Sequence, residues 1–274
     1  MATLELAPSL ADIKTGESKL RQNEYPGRVL ILGRVAHYAV VAYALTGRSE
    51  PSRNRVFAQE ADGYRTLPVT AQTEADGSTR KVRDMTTPFD PIRHYKATKH
   101  KKGLFVATNG AQTDYILEDM LKAATLEDAM RAAPEVDGIK LSEFEPAETD
   151  FTPRIASYVD LTAYAHRPTT GLGRVRRDDD SGLPIYDTWT APSIDALPSE
   201  VGYVMQTYRG DGKPLPAFIE DPYMVPLHED IEVATAQIWD MLPEANRAAL
   251  LVTAIDLGNL AMTELRVDIH NMAA

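Results

Sequence analysis

Two apolar runs near the start of the chain, "RVLILGR" (residues 28–34) and "HYAVVAYALTG" (residues 37–47), limit the architecture more than any other feature. Both are rich in β-branched and aromatic residues, and neither alternates cleanly between polar and apolar positions. A strand with one wet face alternates, whereas a strand covered on both faces reads as a continuous apolar run. The pair, divided by a turn near Gly33, therefore predicts a layered sandwich of sheets and helices. "GLFVATNG" (residues 103–110) repeats the theme as a short buried strand halted by Asn109-Gly110.

Helical spacing follows at once. "TDYILEDMLKAA" turns Ile116, Leu117, Met120 and Leu121 to one side, and "TLEDAMRAAP" opens on the capping box Thr125-x-x-Asp128 and stops before Pro134. Further on, "EVGYVMQTYRGDGKPLP" reads as a strand running into a Gly-Asp-Gly turn. "HEDIEVATAQIWDML" and the apolar stretch "RAALLVTAIDLGNLAMTEL" read as C-terminal helices. The stretches 71–87 and 166–184 read as loops, the latter because "GLGRVRR" has too few glycines for a dinucleotide site and follows no strand. The expected class is α/β (α+β), in one domain spanning 25–274, with an N-terminal extension over 1–24 and a loop insertion near 165–199.

Composition closes off several functions. Forty acidic against 29 basic residues give a formal charge of −11, which repels nucleic acid from most of the surface. Without cysteine there is no disulfide, thiolate nucleophile or sulfur-based zinc site. His37, His94, His100, His166, His228 and His270 lack ligand spacing, so no metal is expected, and the GxSxG and Walker motifs are absent. The opening "MATLELAPSLADIKTGESKL" has neither a basic start nor an unbroken apolar core, and no stretch suits a bilayer span. A cytoplasmic protein, alone or as a homo-oligomer, without nucleic-acid or membrane partners, is the expectation.

What remains are four polar clusters at strand ends: "YPGR", "GRSEPSRNR", "TNGAQTD" and "SEFEPAETDFTPR". They supply Arg28, Arg48, Arg53, Arg55 and Arg154 for an anion. Ser49, Asn54, Asn109, Gly110, Asp114 and Thr152 offer short polar contacts, and Glu143 and Glu145 offer bases. This inventory suits a phosphorylated small molecule, with at least three of the arginines converging. If "SEFEP" is extended, Glu143 and Glu145 share one face and Phe144 turns to the core.

"YPGRVLILGR", "GRSEPSRNRVF", "TNGAQTD" and "FEPAETDFTPRI", in this order, resemble the archaeal-type inosine monophosphate (IMP) cyclohydrolase family and its bacterial relatives. The likeness covers Tyr25 to Ile155, and "YRGDGKPLPAF" resembles the later part of the longer bacterial members. It implies a four-layer α/β/β/α sandwich like that of the N-terminal-nucleophile hydrolases. It also implies the last step of purine synthesis, closure of the formamido-imidazole carboxamide ribonucleotide to IMP with loss of water. The family's loop arginine, tyrosine and glutamate fall on Arg53 in "EPSRNR", Tyr95 in "PIRHYK" and Glu145 in "FEP"; Glu143, two residues before Glu145, is expected to orient the substrate or neighbouring arginines. The partner is then a purine nucleotide or its imidazole precursor, and the closure needs neither metal nor cofactor. Dialysis against chelator is expected to leave turnover unchanged; loss of activity restored by a divalent ion would overturn that expectation. Two other readings stay open: an enzyme acting on another imidazole or amide nucleotide, and a catalytically silent nucleotide-binding protein.

Overall fold

Apolar runs without alternation need cover on both faces, and in the computed structural model they have it. The structure describes every residue except 1, 75, 77, 78, 89, 147–149, 163–168, 263, 264 and 272–274, and of 79–81 the backbone alone. Along the chain run β1 (Ala2–Thr3), α1 (Leu10–Gln22), β2 (Arg28–Val35), β3 (Tyr38–Thr46), α2 (Glu50–Arg53), β4 (Arg55–Glu60), β5 (Gly63–Thr73) and β6 (Thr79–Arg83). Then come β7 (Lys96–Lys101), β8 (Leu104–Thr108), α3 (Thr113–Met120), α4 (Leu126–Ala132), β9 (Glu135–Val136), β10 (Ile139–Lys140) and β11 (Arg154–Asp160). The last part holds β12 (Thr169–Arg177), β13 (Pro184–Ala191), β14 (Val201–Gln206), β15 (Tyr223–Pro226), α5 (Ile231–Met241), β16 (Arg247–Asp256) and β17 (Leu265–Asn271).

This is a mixed α+β fold with two large sheets. One has the order β15-β14-β2-β3-β16-β17, and the other β1-β13-β12-β11-β8-β7-β5-β4 with β6 paired to β5. Period-two side-chain alternation assigns each strand residue to a side. Leu30, Leu32, Val41, Tyr43 and Leu45 of the smaller sheet meet Phe105, Ala107, Ile155, Val159 and Leu172 of the larger one in a single core. Their neighbours Val29, Ile31, Val40, Ala42 and Ala44 turn the other way, onto Leu20 of α1 and Ile238 and Trp239 of α5. On the far side of the larger sheet, Val106, Ala156 and Tyr158 pack on Ile116, Leu117, Leu126 and Met130 of α3 and α4. Helices thus cover both outer faces. Among the described residues no helix is long and apolar enough to cross a membrane.

Several expectations are corrected. The apolar stretch after α5 begins as strand β16, inserted between β3 and β17, so α5 is not followed by further helix among the described residues. Eight consecutive buried residues in this ten-residue strand carry no period that separates helix from strand. The stretch 71–87 supplies the end of β5 and all of β6, and 165–199 holds β12 and β13; the start of that stretch, with His166, lies outside the described residues. "GLGRVRR" is interior strand, and its Gly173 is glycine because a Cβ there would lie 2.7 Å from Leu126 Cδ2 and Met130 Sδ. Gly33 does not turn the chain either. It sits within β2 where a Cβ would meet the Val201 carbonyl oxygen of β14 at 2.4 Å, and the turn falls at Ala36, whose φ is 49°. Residues 2–24, expected as an extension, pack on the rest: β1 pairs with β13, Leu4 is in the inter-sheet core, and α1 is capped by Ser9 and Asp12.

Candidate functional site

One end of the sandwich collects the polar strand ends. Arg28 opens β2 and shares the inward face of Leu30 and Leu32, while Arg55 opens β4, Tyr95 precedes β7, and Arg154 opens β11. The Glu145 N–H donates to the Thr152 carbonyl at 2.8 Å, which fastens its loop to the segment leading into β11. Gly27 has φ 73°, and a Cβ there would lie 2.0 Å from Thr207 Oγ1, so only glycine lets the chain enter β2 so close to the Thr207-Tyr208 segment.

At the centre, the Glu145 carboxylate lies 3.8 Å from Arg28 Nη2 and 3.5 Å from Arg154 Nη1. Arg154 donates from Nε to the Glu143 carbonyl at 2.6 Å and from Nη1 to Gln112 Oε1 at 3.2 Å. Arg55 donates to the carbonyls of Ser52 at 2.9 Å and Thr46 at 3.4 Å. The hydroxyls of Tyr43 in β3 and of Tyr95, just before β7 of the larger sheet, are 2.5 Å apart, and Thr152 is hydrogen-bonded to the Tyr208 hydroxyl. Arg28, Tyr43, Arg55, Tyr95, Glu145 and Arg154 are all buried.

The cluster is incomplete as a hydrogen-bonded set. Arg28 Nε, Arg55 Nη1 and Glu145 Oε1 are buried without a hydrogen-bond partner. Arg174, equally buried in β12, shows the saturated alternative: its guanidinium reaches Asp187 at 2.6 Å and the carbonyls of Phe218 and Glu220 at 2.9 Å. Arg28 and Arg154 face the Glu145 carboxylate and Arg55 stands beside Arg28, so three guanidinium groups share one carboxylate, an excess of two positive charges. Burial, and after it the nearby Arg28, lowers the pKa of Arg55; burial likewise lowers that of Arg154, against the pull of Glu145. For Arg28 burial acts downward too but is outweighed, chiefly by Glu145, which holds its pKa well above the ordinary value. Unpaired buried charge is costly, and a site that maintains it is suited to an anion. A phosphomonoester brings about −1.5 to −2 charges at neutral pH.

Space is tight. Beside Glu145 and Arg154 lies a cavity of about 20 Å³, bounded also by Pro91, Ile92, Ala111 and Leu141, roughly room for one water. Arg28 Nη2 donates to the Ile92 carbonyl at 3.4 Å. A nucleotide needs several hundred Å³, so the Pro91-Ile92 segment must give way to admit one. A larger cleft of about 490 Å³ is lined by Asn54, Val69, Thr70, Asp84, Asp90 and His94. It includes neighbours in sequence of Arg55 and Tyr95, yet its carboxylates Glu50, Asp84 and Asp90 outnumber Arg93, which Asp90 already binds at 2.5 Å. The cleft has the volume for a ligand and the buried cluster has the chemistry.

Of the five arginines expected to converge, Arg28, Arg55 and Arg154 do. Arg53 does not join them: its Nη1 donates to the Arg48 carbonyl at 2.7 Å, and no described contact links it to Glu145 or Tyr95. Arg48 is already neutralised by Asp211 at 2.6 Å and Asp150 at 3.6 Å, and lies 5.1 Å from the centre of the Tyr25 ring. Ser49 is exposed and bonded to Ser52, and Asn54 faces the cleft. Asn109 is committed to the backbone, donating to the Pro153 carbonyl at 2.8 Å and accepting from the Ile155 N–H at 2.7 Å, which holds Arg154 in place from behind. Asp114 pairs with Lys99 at 2.5 Å and Lys96 at 3.7 Å, away from the cluster. Glu143 and Glu145 do not share a face, because the chain bends at Glu143; its carboxylate goes to Lys140 at 3.0 Å and only its carbonyl serves Arg154. Thr152 lies in the cluster as expected.

Tyr43, Gln112 and Tyr208 escaped the sequence reading. Tyr43 sits in an apolar run where any aromatic reads as core, and Gln112 and Tyr208 had no charge to draw attention. Gly110 gains a specific role, since a Cβ there would lie 2.5 Å from Arg154 Nη1 and 2.4 Å from Gln112 Oε1. Gly110→Ala is therefore expected to displace the Arg154 guanidinium and weaken nucleotide binding about tenfold, the worth of one charge-assisted hydrogen bond; a titration matching wild type would contradict this. Arg53→Ala, by contrast, is expected to leave nucleotide affinity within about twofold, as a side chain outside the cluster should; a tenfold loss on titration would restore Arg53 to the site. Among the described residues no group of three or more His, Asp or Glu is placed to hold a metal ion.

Compared with known families, the chain matches the model described as IMP cyclohydrolase-like protein over residues 25–259. The match takes in β12 and β13 and leaves out β1 and α1. No curated protein matches the chain.

Proposed function

Since the chain belongs to the IMP cyclohydrolase-like family, we propose that it closes the purine ring of the formamido-imidazole carboxamide ribonucleotide, giving IMP and water. We read its two sheets and outer helices as the four-layer sandwich of the N-terminal-nucleophile hydrolase type. The observation that carries the functional reading is that Glu145 Oε1, Arg28 Nε and Arg55 Nη1, one acceptor and two cationic donors, are buried in the cluster without hydrogen-bond partners.

The reaction joins two groups of one molecule. The carboxamide nitrogen attacks the formyl carbon, so holding them in contact can remove up to about 7 to 11 kcal/mol of barrier. A neutral amide nitrogen is a weak nucleophile; Glu145 Oε1 takes its proton as the carbon–nitrogen bond forms. Negative charge moves to the formyl oxygen, where the Tyr95 hydroxyl and the free N–H groups of Arg28 or Arg55 receive it. Loss of one such donor costs roughly 10² to 10³ in turnover in comparable sites. The oxygen then leaves as water, carrying the proton first taken by Glu145 and the one lost from the formamido nitrogen. Arg154, held by Gln112 and the Glu143 carbonyl, keeps Glu145 in position. Arg28 and Arg55 replace Arg53 in the role expected of a loop arginine.

Incubation with the formamido nucleotide, followed by separation of the products, tests this reading. IMP in amounts that scale with protein supports it. Conversion of a different imidazole or amide nucleotide, or binding without conversion, would move the assignment to another reaction or to a binding protein.

A further inference from the structure

We propose that Tyr43 is a positioning residue for the reaction, holding the Tyr95 hydroxyl by the hydrogen bond that joins the two rings across the inter-sheet core. The inference rests on the ring-closure reading above.

Tyr43 lies in β3 with its side chain turned inward between those of Val41 and Leu45, opposite Leu30 of β2 and Leu251 of β16. It is fully buried, and its ring packs 5.5 Å from that of Phe57. Every other inward neighbour on this strand is apolar, so packing alone is met by phenylalanine. A hydroxyl in such surroundings is costly unless it is bonded, and its bond is the 2.5 Å contact to the Tyr95 hydroxyl. Tyr95 comes from the segment entering β7 of the opposite sheet, its backbone N–H fixed to Thr66 Oγ1 of β5 at 3.1 Å. The Tyr43 contact fixes the remaining freedom, the direction of the Tyr95 O–H.

The direction follows from proton count. The two hydroxyls carry two protons, and one of them makes the bond between them. Arg28 and Arg55 stand near Tyr43, and guanidinium groups donate only, so they do not compete for those protons. Among the described residues the Tyr43 hydroxyl has no acceptor other than Tyr95, so its buried proton is satisfied only when Tyr43 donates across this contact. Tyr95 is left with its own proton free for the substrate oxygen. Tyr95 keeps that proton and uses it as a hydrogen-bond donor to the developing oxyanion, while the Tyr43 hydroxyl holds the Tyr95 oxygen from the other side.

The test is a kinetic cycle with Tyr43→Phe, Tyr95→Phe and the double variant. Tyr43→Phe keeps the ring and is expected to melt close to wild type, with KM within about twofold. Its kcat should fall roughly 10- to 100-fold, less than the 10² to 10³ of a donor that touches the oxyanion directly. Added to Tyr95→Phe it should lower kcat no further, since it acts through that hydroxyl; a general loosening of the core would lower kcat in both backgrounds. Wild-type kcat in Tyr43→Phe, or a loss that multiplies with that of Tyr95→Phe, overturns this inference and leaves the ring-closure reading standing. A wild-type protein that turns over no formamido nucleotide overturns both.

Discussion

Glu145→Gln is expected to lower turnover of the formamido nucleotide by about 10² to 10⁴, the usual worth of a positioned general base. The substitution keeps shape and hydrogen-bonding capacity and removes the proton acceptor. Affinity for IMP should hold or rise, because the change takes one negative charge away from a cluster in which Arg28, Arg55 and Arg154 already outnumber it. Low kcat with intact binding is the signature of a group used in the transition state rather than in the ground state. Stopped-time assays paired with calorimetry read both quantities. Turnover near the wild-type rate would remove Glu145 as the base, and a large loss of affinity would make it a structural residue.

Arg55→Met carries the second large effect. Methionine replaces the buried stem and removes the charge, so the unpaired Nη1 is lost along with the bonds to the Ser52 and Thr46 carbonyls. A charge-assisted hydrogen bond is worth about 1.5 to 3 kcal/mol, and affinity for a nucleotide monophosphate should fall roughly 10- to 100-fold. Stability should change little. Burial and the nearby Arg28 already work against the Arg55 charge, so its removal offsets much of what the two lost bonds contributed. Binding lost without a lower melting temperature marks a site maintained at the expense of stability. If the titration matched wild type, or if melting fell by many degrees, Arg55 would be a structural arginine like Arg174.

The sequence revealed the layered core because covered strands leave a signal that does not depend on distant residues: long apolar runs at β2, β3 and β8. The same signal failed at β16, where eight consecutive buried residues read equally well as helix. It failed at β12 for the opposite reason, since arginines and glycines there look like loop until Asp187 and the carbonyls around Phe218 are seen to receive Arg174. In the site, the polar clusters near strand ends were legible: Glu145 meets Arg28, Arg154 and the Thr152 backbone, and Arg55 stands beside Arg28. What sequence spacing could not give was direction. Arg53 and Arg55 are two residues apart, yet α2 ends between them, so extended-chain alternation does not hold across the pair. Glu143 and Glu145 likewise part company because the chain bends between them. Tyr43 was silent for a simpler reason, that one hydroxyl in an apolar strand has no pattern until its partner arrives from the other sheet.

The most direct measurement is the initial rate of absorbance change when wild-type protein meets the formamido-imidazole carboxamide ribonucleotide, with the dephosphorylated nucleoside as a parallel substrate. The expected result is a rate proportional to protein concentration, IMP as the product, and a much slower reaction with the nucleoside, because the buried excess of arginine charge has no anion to meet. A rate no greater than that of the nucleotide alone, at protein concentrations that bind it, would contradict the assignment of Glu145, Tyr95 and the three arginines to ring closure.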